Sequence, residues 1–399
     1  MKNVTILGST GSIGTSTLDV IRRRRDEFSV FALVAGRNAE LLARQIVEFR
    51  PRVAVVGTQA VLGNLISRLE ETGLPRSQWP ELDEGRQARI DAATASDVQF
   101  VMSAIVGVAG LEATYEAVRK GKIIGLANKE TLVASGRLVT EAALEAGTEL
   151  IPVDSEHNGV HQCLRAGKRG EVSRVLLTAS GGPFREYPKE RLAAVTPADA
   201  LNHPTWKMGQ RITIDCATLM NKGFEVIEAC WLFGLDPSEV DVVVHPQSSV
   251  HAMVEYADGS ILAQISATDM RMPIQYALTY PDRAAAPVPR LDWSVARHWD
   301  FGPPDLEKFP LLRLAYEAQK TGGSATCTLN AADEIAVQAF LDGRITFPAI
   351  ADVVQQTLDA IPVRQPATVA EVLDIDEESR KAAREAVLAR AEATGTLTL

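Results

Sequence analysis

Two acidic residues two positions apart, Asp154 and Glu156, close the apolar run Glu149-Leu150-Ile151-Pro152-Val153, and a third carboxylate, Glu225, follows in a separate segment. The run reads as a strand. Residues i and i+2 of a strand project to one face, so the spacing predicts both carboxylates pointing the same way. Two anions held that close repel unless a cation or a proton lies between them. Oxygen-only ligands favour a hard divalent ion such as Mg²⁺ or Mn²⁺ over zinc. The predicted chemistry is metal-assisted, with Glu225 as the candidate third ligand.

Gly8-Ser9-Thr10-Gly11-Ser12-Ile13-Gly14 follows the first predicted strand and precedes a helical pattern. Glycines let the backbone approach a pyrophosphate, and the helix N-terminus adds N–H donors and a positive dipole end. The spacing is GxxGxxG rather than the usual GxGxxG, so the strand–turn–helix setting carries the nucleotide reading. The second strand ends in Ala35-Gly36-Arg37-Asn38. An NAD site usually places an acidic residue there for the ribose hydroxyls, whereas an arginine pairs with a 2′-phosphate and so predicts NADPH.

Asn221-Lys222-Gly223-Phe224-Glu225 opens a predicted helix running to about Phe233, and Asn221 and Glu225 share a face. Amide, ammonium and carboxylate together suit a ligand with phosphate and metal-bound oxygens; an exposed amphipathic helix start is the plainer alternative. Leu177 to Pro183 reads as a strand entering a glycine turn, either an anion nest around Ser180 or a simple tight turn. His203-Pro204-Thr205-Trp206-Lys207-Met208-Gly209 has little periodicity, and its tryptophan either plugs a core or covers a ligand as a lid. His245 and His251 read as strand-end hydrogen-bonding residues rather than metal ligands.

These residues must be positioned by more than one core, since 399 residues exceed a single typical domain. A net charge of −10 argues against nucleic acid as a partner, because affinity there comes mostly from neutralised phosphates. Arg22 to Arg25 are read as cations at a helix C-terminus. No run approaches the ~20 apolar residues of a membrane span, and the strand pattern from Asn3 predicts no signal or transit peptide. Cys163, Cys216, Cys230 and Cys327 show no CxxC spacing, so a reducing cytoplasm is expected.

The predicted fold class is α/β. A Rossmann-like parallel-sheet domain is expected over 1–150, with strands at Val4–Leu7, Val30–Ala35, Val53–Val56, Phe100–Ser103, Ile123–Ala127 and Leu150–Val153. Leu62 to Asp91 is left open. A central α+β catalytic domain with an open sheet is expected over 151–285, with strands at Arg174–Ala179, Arg211–Cys216, Val240–Val244, Val250–Tyr256 and Ile261–Ser266 and a hairpin at Asp258-Gly259. A proline-rich connector over 286–311 leads to a C-terminal helical bundle over 312–399, where Asn330 and Asp376 are read as helix caps.

Six blocks in this order, GSTGSIG, LANKE (126–130), PVDSEHN (152–158), LTASGGPF (177–184), HPTWKMG (203–209) and MNKGFE (220–225), closely resemble the 1-deoxy-D-xylulose 5-phosphate reductoisomerase family. The resemblance spans nearly the whole chain. It implies NADPH- and metal-dependent rearrangement and reduction of that sugar phosphate to 2-C-methyl-D-erythritol 4-phosphate, in non-mevalonate isoprenoid biosynthesis. It also implies a homodimer.

On that resemblance, Asp154, Glu156 and Glu225 bind Mn²⁺, Mg²⁺ or Co²⁺, and Lys129 and Glu156 assist proton movement. Ser155 and Lys129 contact substrate; Ser180, Asn221 and Lys222 hold its phosphate near His203, with Trp206 and Met208 on the lid. Thr10, Gly11, Ser12, Ile13, Gly36, Arg37, Asn38 and Gly209 bind NADPH, with Asn128 and Glu130 on the cofactor side. One position departs: the family commonly has serine in DSATLMNKG, where this chain has Cys216. A thiol is a weaker donor than a hydroxyl. A metal-free NADP-dependent dehydrogenase and a non-catalytic NADP sensor are the alternatives, and neither gives the three carboxylates a task.

Overall fold

A computed structural model describes residues 1–202 and 209–393. They fall into two compact units, one of residues 1–131, 139–158 and 267–291, the other of the described residues in 132–138, 159–266 and from 292 onward.

The chain begins β1 (Lys2–Leu7), α1 (Ser12–Arg22), β2 (Phe28–Val34), α2 (Ala39–Phe49), β3 (Val53–Val56), α3 (Gln59–Glu71) and β4 (Glu81–Glu84). It continues α4 (Gly85–Thr94), β5 (Phe100–Ser103), α5 (Leu111–Arg119), β6 (Ile123–Leu126), α6 (Lys129–Ala146), β7 (Leu150–Pro152) and α7 (Ser155–Leu164). The division between units falls within α6 and α7.

The seven strands are parallel, in the order β4-β3-β2-β1-β5-β6-β7. A parallel sheet covered on both faces needs apolar runs rather than alternation. Phe-Val-Met-Ser of β5 is buried throughout, and β2 at all but Ser29. The edge strand β4, Glu-Leu-Asp-Glu, is the exception: it alternates exposed and half-buried. Charges at an edge discourage further pairing and also hide the strand from a search for apolar runs. Strand order reverses between β1 and β5, and sheets of this kind bind ligands beyond the carboxyl ends at that point.

The second unit holds β8 (Val172–Ala179), α8 (Pro197–Ala200), α9 (Gln210–Ala217), α10 (Met220–Phe233), β9 (Val240–Val244), β10 (Val250–Tyr256) and β11 (Ile261–Ile265). Its open sheet runs β11-β10-β8-β9, with β10 antiparallel to both neighbours and β8 parallel to β9. The β10–β11 turn falls at Asp258-Gly259, where Gly259 has φ +84°. The chain then returns to the first unit as α11 (Arg271–Thr279), which buries Ile274, Ala277 and Leu278 in that unit's core. Arg271 bonds Asp19 of α1 at 3.0 Å. Residues 267–291, expected in the central domain and connector, thus belong with the N-terminal sheet.

Residues 281–309 form no helix or strand beyond a bridge between Val244 and Gly302. Four helices follow, α12 (Pro310–Thr321), α13 (Ala325–Leu341), α14 (Ala349–Ala360) and α15 (Val369–Ala393), and share one core with α10 and the second sheet. Among the described residues no helix is long and apolar enough to cross a membrane.

Four local expectations are corrected. Arg211–Cys216 is helical: Arg-Ile-Thr-Ile-Asp-Cys alternates like a strand, yet it buries Thr213, Ile214 and Ala217 as a helix face, and packing overrides so short a pattern. Asp154 and Glu156 are not an i,i+2 strand pair, because β7 stops at Pro152 and α7 starts at Ser155. Asn330 caps nothing; it lies fully buried inside α13, which begins after Gly322-Gly323. Asp376 sits inside α15 and bonds Arg380, one turn on, at 2.6 Å. The cap falls to Thr368, whose hydroxyl accepts from Glu371 N at 3.2 Å.

Candidate active site

In the first unit the glycine turn stands at the end of β1, at the sheet's switch point. Gly8 has φ +89°, a left-handed value that favours glycine. A Cβ there would collide with the Ala104 carbonyl, and one on Gly14 with the Gly8 carbonyl. The turn is pinned by Gly8 N and Ser9 N donating to Val34 O at 2.9 and 2.8 Å, and by Gln45 Nε2 donating to Ser9 O at 2.8 Å. Gly11 caps α1 without a side-chain bond, so the first N–H groups of the helix are available to an anion. Gly11 and Ser12 are exposed, Thr10 and Ile13 half-buried. Gly36, Arg37 and Asn38 follow β2 and are exposed; Asn38 Oδ1 caps α2 by accepting from Leu41 N at 3.0 Å. The cradle fits a pyrophosphate with a guanidinium beside β2's end.

Asn128 caps α6. Its Oδ1 accepts from Thr131 N at 2.9 Å, while Nδ2 donates to Gly107 O at 3.0 Å and to Glu130 Oε2 at 3.1 Å. It therefore holds the 105–107 loop as well as the helix start. Lys129 Nζ donates to Asp154 Oδ2, both side chains mostly buried. Asp154 Oδ1 accepts from Glu156 N at 3.2 Å, and Ser155 Oγ donates to Glu156 Oε2 at 2.7 Å. Carboxylates at a helix N-terminus are favoured by its dipole. Asn158 Nδ2 ties this start to β7 through Pro152 O at 2.8 Å.

In the second unit β8 runs into Ser180, Gly181 (φ +81°) and Gly182 (φ +69°). Gly182 N donates to Ser180 Oγ at 3.3 Å. A Cβ on Gly182 would lie 2.7 Å from Cys216 O, so the turn lies directly on the end of α9. Cys216 is half-buried. After α9 the chain reverses through Leu219, whose φ of +63° is strained for a branched residue by about 1–2 kcal/mol; its burial anchors it. The reversal opens α10. There Asn221 Nδ2 donates to Glu225 Oε1 at 2.6 Å and Lys222 Nζ donates to Oε2. Lys222 is 4% exposed and Glu225 1%. A carboxylate has about four lone-pair positions, so two donors can orient Glu225 and leave it able to ligate a cation.

His161, on α7, is pushed down to about 4 by burial and by Arg165, so its imidazole is neutral near pH 7. His245 Nδ1 lies 3.0 Å from Asp300 O, and Nε2 accepts from Ser249 N and Val250 N at 3.2 Å each, the hydrogen-bonding role expected of it. His203, Trp206 and Met208 lie outside the described residues; Gly209 caps α9. Sequence reasoning did not single out Leu219 or Arg211. The i,i+4 spacing of Arg211 and Asp215 was the available signal, hidden by reading the segment as a strand.

A parallel α/β unit with a glycine turn at its switch point, together with a second unit carrying a polar cradle and a buried carboxylate, defines the class as a Rossmann-like, two-unit α/β protein. Family profiles described as 1-deoxy-D-xylulose 5-phosphate reductoisomerase match residues 4–136, its C-terminal domain 150–233, and the DXP reductoisomerase C-terminal domain 265–382. The reductoisomerase of Solibacter usitatus (strain Ellin6076) is 67% identical over 398 residues, covering 100% of both chains. That of Chloroherpeton thalassium is 49% identical, covering 96% of this chain and 97% of its own. The Zymomonas mobilis enzyme, solved in complex with NADPH, superposes with a TM-score of 0.90 at 45% identity, covering 97% and 99% of the two chains. A DOX-P reductoisomerase solved with NADPH, fosmidomycin and magnesium gives 0.91 at 38% identity, covering 97% and 98%. The chain belongs to the 1-deoxy-D-xylulose 5-phosphate reductoisomerase family.

Proposed function

We propose that this chain converts 1-deoxy-D-xylulose 5-phosphate to 2-C-methyl-D-erythritol 4-phosphate, using NADPH and a divalent metal. The polar cradle of the second unit supports this most: Ser180 and its glycine turn lie on α9 at Cys216, one reversal from Asn221, Lys222 and Glu225.

The first unit binds NADPH at Thr10 to Ile13 and Gly36 to Asn38, with Arg37 on the 2′-phosphate. Asn128 keeps the neighbouring 105–107 loop in place. Asp154, Glu156 and Glu225 hold the metal, and their oxygen-only donor set suits Mg²⁺ or Mn²⁺. When bound, the ion supplies Lewis-acid polarisation and the dinucleotide supplies the reducing hydride.

The chain's own residues do the rest. Ser180, Cys216, Asn221 and Lys222 hold the substrate phosphate, which fixes the reacting carbons in the orientation the rearrangement needs. Ser155 contacts substrate and also orients Glu156. Lys129, ion-paired to Asp154, and Glu156 move protons at the substrate's hydroxyl and carbonyl oxygens. By the family resemblance His203 is assigned near the substrate phosphate and Trp206 and Met208 to a lid that excludes water. Incubation with substrate, NADPH and Mg²⁺, followed by identification of the product by NMR, tests the reading. A branched methyl-tetritol phosphate supports it; recovery of unchanged substrate sinks it.

The family resemblance extends the proposal to a homodimer in a reducing cytoplasm. The position of β11 at the sheet's edge, with Ile261 and Leu262 exposed, and four cysteines that form no disulfide among the described residues support this. Light scattering that gives a monomer's mass would contradict the dimer.

A further inference from the structure

Gly223 lies between Lys222 and Glu225 in sequence but on the other side of α10. At about 100° per residue, Asn221, Glu225 and Lys222 fall within one arc of about 100°, and Gly223 lies about 150° from its middle. That opposite side meets α12. A Cβ on Gly223 would lie 2.6 Å from Ala315 Cβ and 3.7 Å from Leu311 O. Carbons in contact sit about 3.5–4.0 Å apart, so α10 lies this close to α12 only because residue 223 has no side chain. Helix propensity alone favours alanine over glycine there.

The support behind Gly223 has little room to yield. Ala315 is 0% exposed, and its methyl has no rotamer to change. Leu311, Leu312 and Leu314 are buried in the same core, and Tyr316 Oη donates to Val240 O of β9 at 2.8 Å. The rest of the polar cradle is held elsewhere. Arg211 of α9 donates to Glu334 Oε1 at 2.7 Å and Asn330 Oδ1 at 2.9 Å, both on α13. The Ser180 turn lies on that same α9, at Cys216. One half of the cradle is thus anchored to α13 and the other seated on α12, so the gap between them depends on how deeply α10 sits.

We propose that Gly223 is a positioning residue: its missing side chain sets the depth of α10 on α12, and with it the reach of Asn221 and Lys222 towards the substrate phosphate and of Glu225 towards the metal. The inference rests on the roles given to those three residues above. A methyl at position 223 drives α10 away from α12, in the direction of the face that carries them. An interior packed as densely as a crystal does not absorb the methyl in place. A displacement of about 1 Å at reacting groups costs up to about 10²-fold in rate.

The test pairs two opposite changes: Gly223→Ala adds a methyl, and Ala315→Gly removes the one it meets. Turnover of 1-deoxy-D-xylulose 5-phosphate with NADPH and Mn²⁺ is measured beside the urea midpoint of each variant. Gly223→Ala is expected to raise the KM for the sugar phosphate and the half-saturating Mn²⁺ concentration about tenfold each, with the KM for NADPH within about twofold of wild type. The double variant should bring both constants back to within about twofold. A merely structural glycine lowers the urea midpoint or kcat and leaves both constants unmoved, and that result overturns the proposal. So does a double variant whose midpoint recovers while its constants do not. If Gly223→Ala does not fold, Ala315→Val presses on the same contact from α12; the same rise is expected, and unchanged constants there overturn the proposal equally.

If the wild type turns over no substrate, the functional reading fails and the role of Gly223 is decided separately by calorimetry with Mn²⁺ alone. Binding about tenfold weaker in Gly223→Ala, and regained in the double variant, supports it. Equal affinities, or a wild type that binds no Mn²⁺, overturn it.

Discussion

Asn221 and Glu225 face each other across one turn of α10, the amide donating to the carboxylate at 2.6 Å while Lys222 reaches its other oxygen. A nearly inaccessible carboxylate with two donors is held in one orientation, as a metal ligand needs. The same two donors are the proposed phosphate contacts. On the proposed reading, metal and phosphate would be coupled through one helical turn.

Glu225→Gln keeps the shape but removes the charge. We expect weaker Mn²⁺ binding by calorimetry and a fall in kcat on the order of 10²-fold or more, with NADPH affinity unchanged. Full turnover at wild-type metal concentrations would remove Glu225 from the ligand set.

Cys216→Ser should lower the KM for the sugar phosphate by up to about tenfold, or leave it unchanged, because a hydroxyl is the better donor to a charged acceptor. The backbone of Gly182 already lies on Cys216 O, so the substitution leaves the turn in place. A large rise in KM would mean that the thiol is not a poor substitute for serine.

Arg37→Ala should raise the KM for NADPH about tenfold or more while leaving that for NADH nearly constant. Arg37 is exposed, so its loss disturbs no core. Equal effects on both coenzymes would show that Arg37 does not read the 2′-phosphate.

Burial, with Arg165 beside it, pushes His161 down to about 4 in the folded chain from its ordinary 6.5. The unfolded chain therefore binds the proton first, and the stability present above pH 6.5 is lost as pH falls towards 4. The slope is at most about 1.4 kcal/mol per pH unit. His161→Gln should flatten the urea midpoint over that window; an unchanged slope would show that His161 is not its source.

The parallel sheet was legible because buried parallel strands are apolar runs, and β1, β2, β3, β5, β6 and β7 all read that way. The edge strand β4 was not, since its Glu-Leu-Asp-Glu serves solvent on one side. The carboxylates were found by residue type, but for a reason the backbone does not share: Asp154 and Glu156 stand at a helix start, not along a strand. Arg211 to Cys216 carry the alternation of a strand and the burial of a helix, and only the pairing with α13 decides between them. Asn330 and Asp376 look like caps by type, yet both are consumed inside helices by arginines, Arg211 and Arg380, distant or hidden in the sequence. Return of residues 267–291 to the first unit depends on tertiary contacts that no local pattern announces.

The central claim is that the carboxylates and the glycine turn serve one metal-dependent reduction. The direct test follows NADPH absorbance with 1-deoxy-D-xylulose 5-phosphate and Mn²⁺, then with chelator, then with Mn²⁺ restored. The account predicts oxidation that stops with chelator and returns with the ion. Oxidation that continues unchanged in chelator would assign the chain to metal-free reduction. No oxidation by folded protein that still binds NADPH would favour a cofactor sensor, and either result would contradict the account.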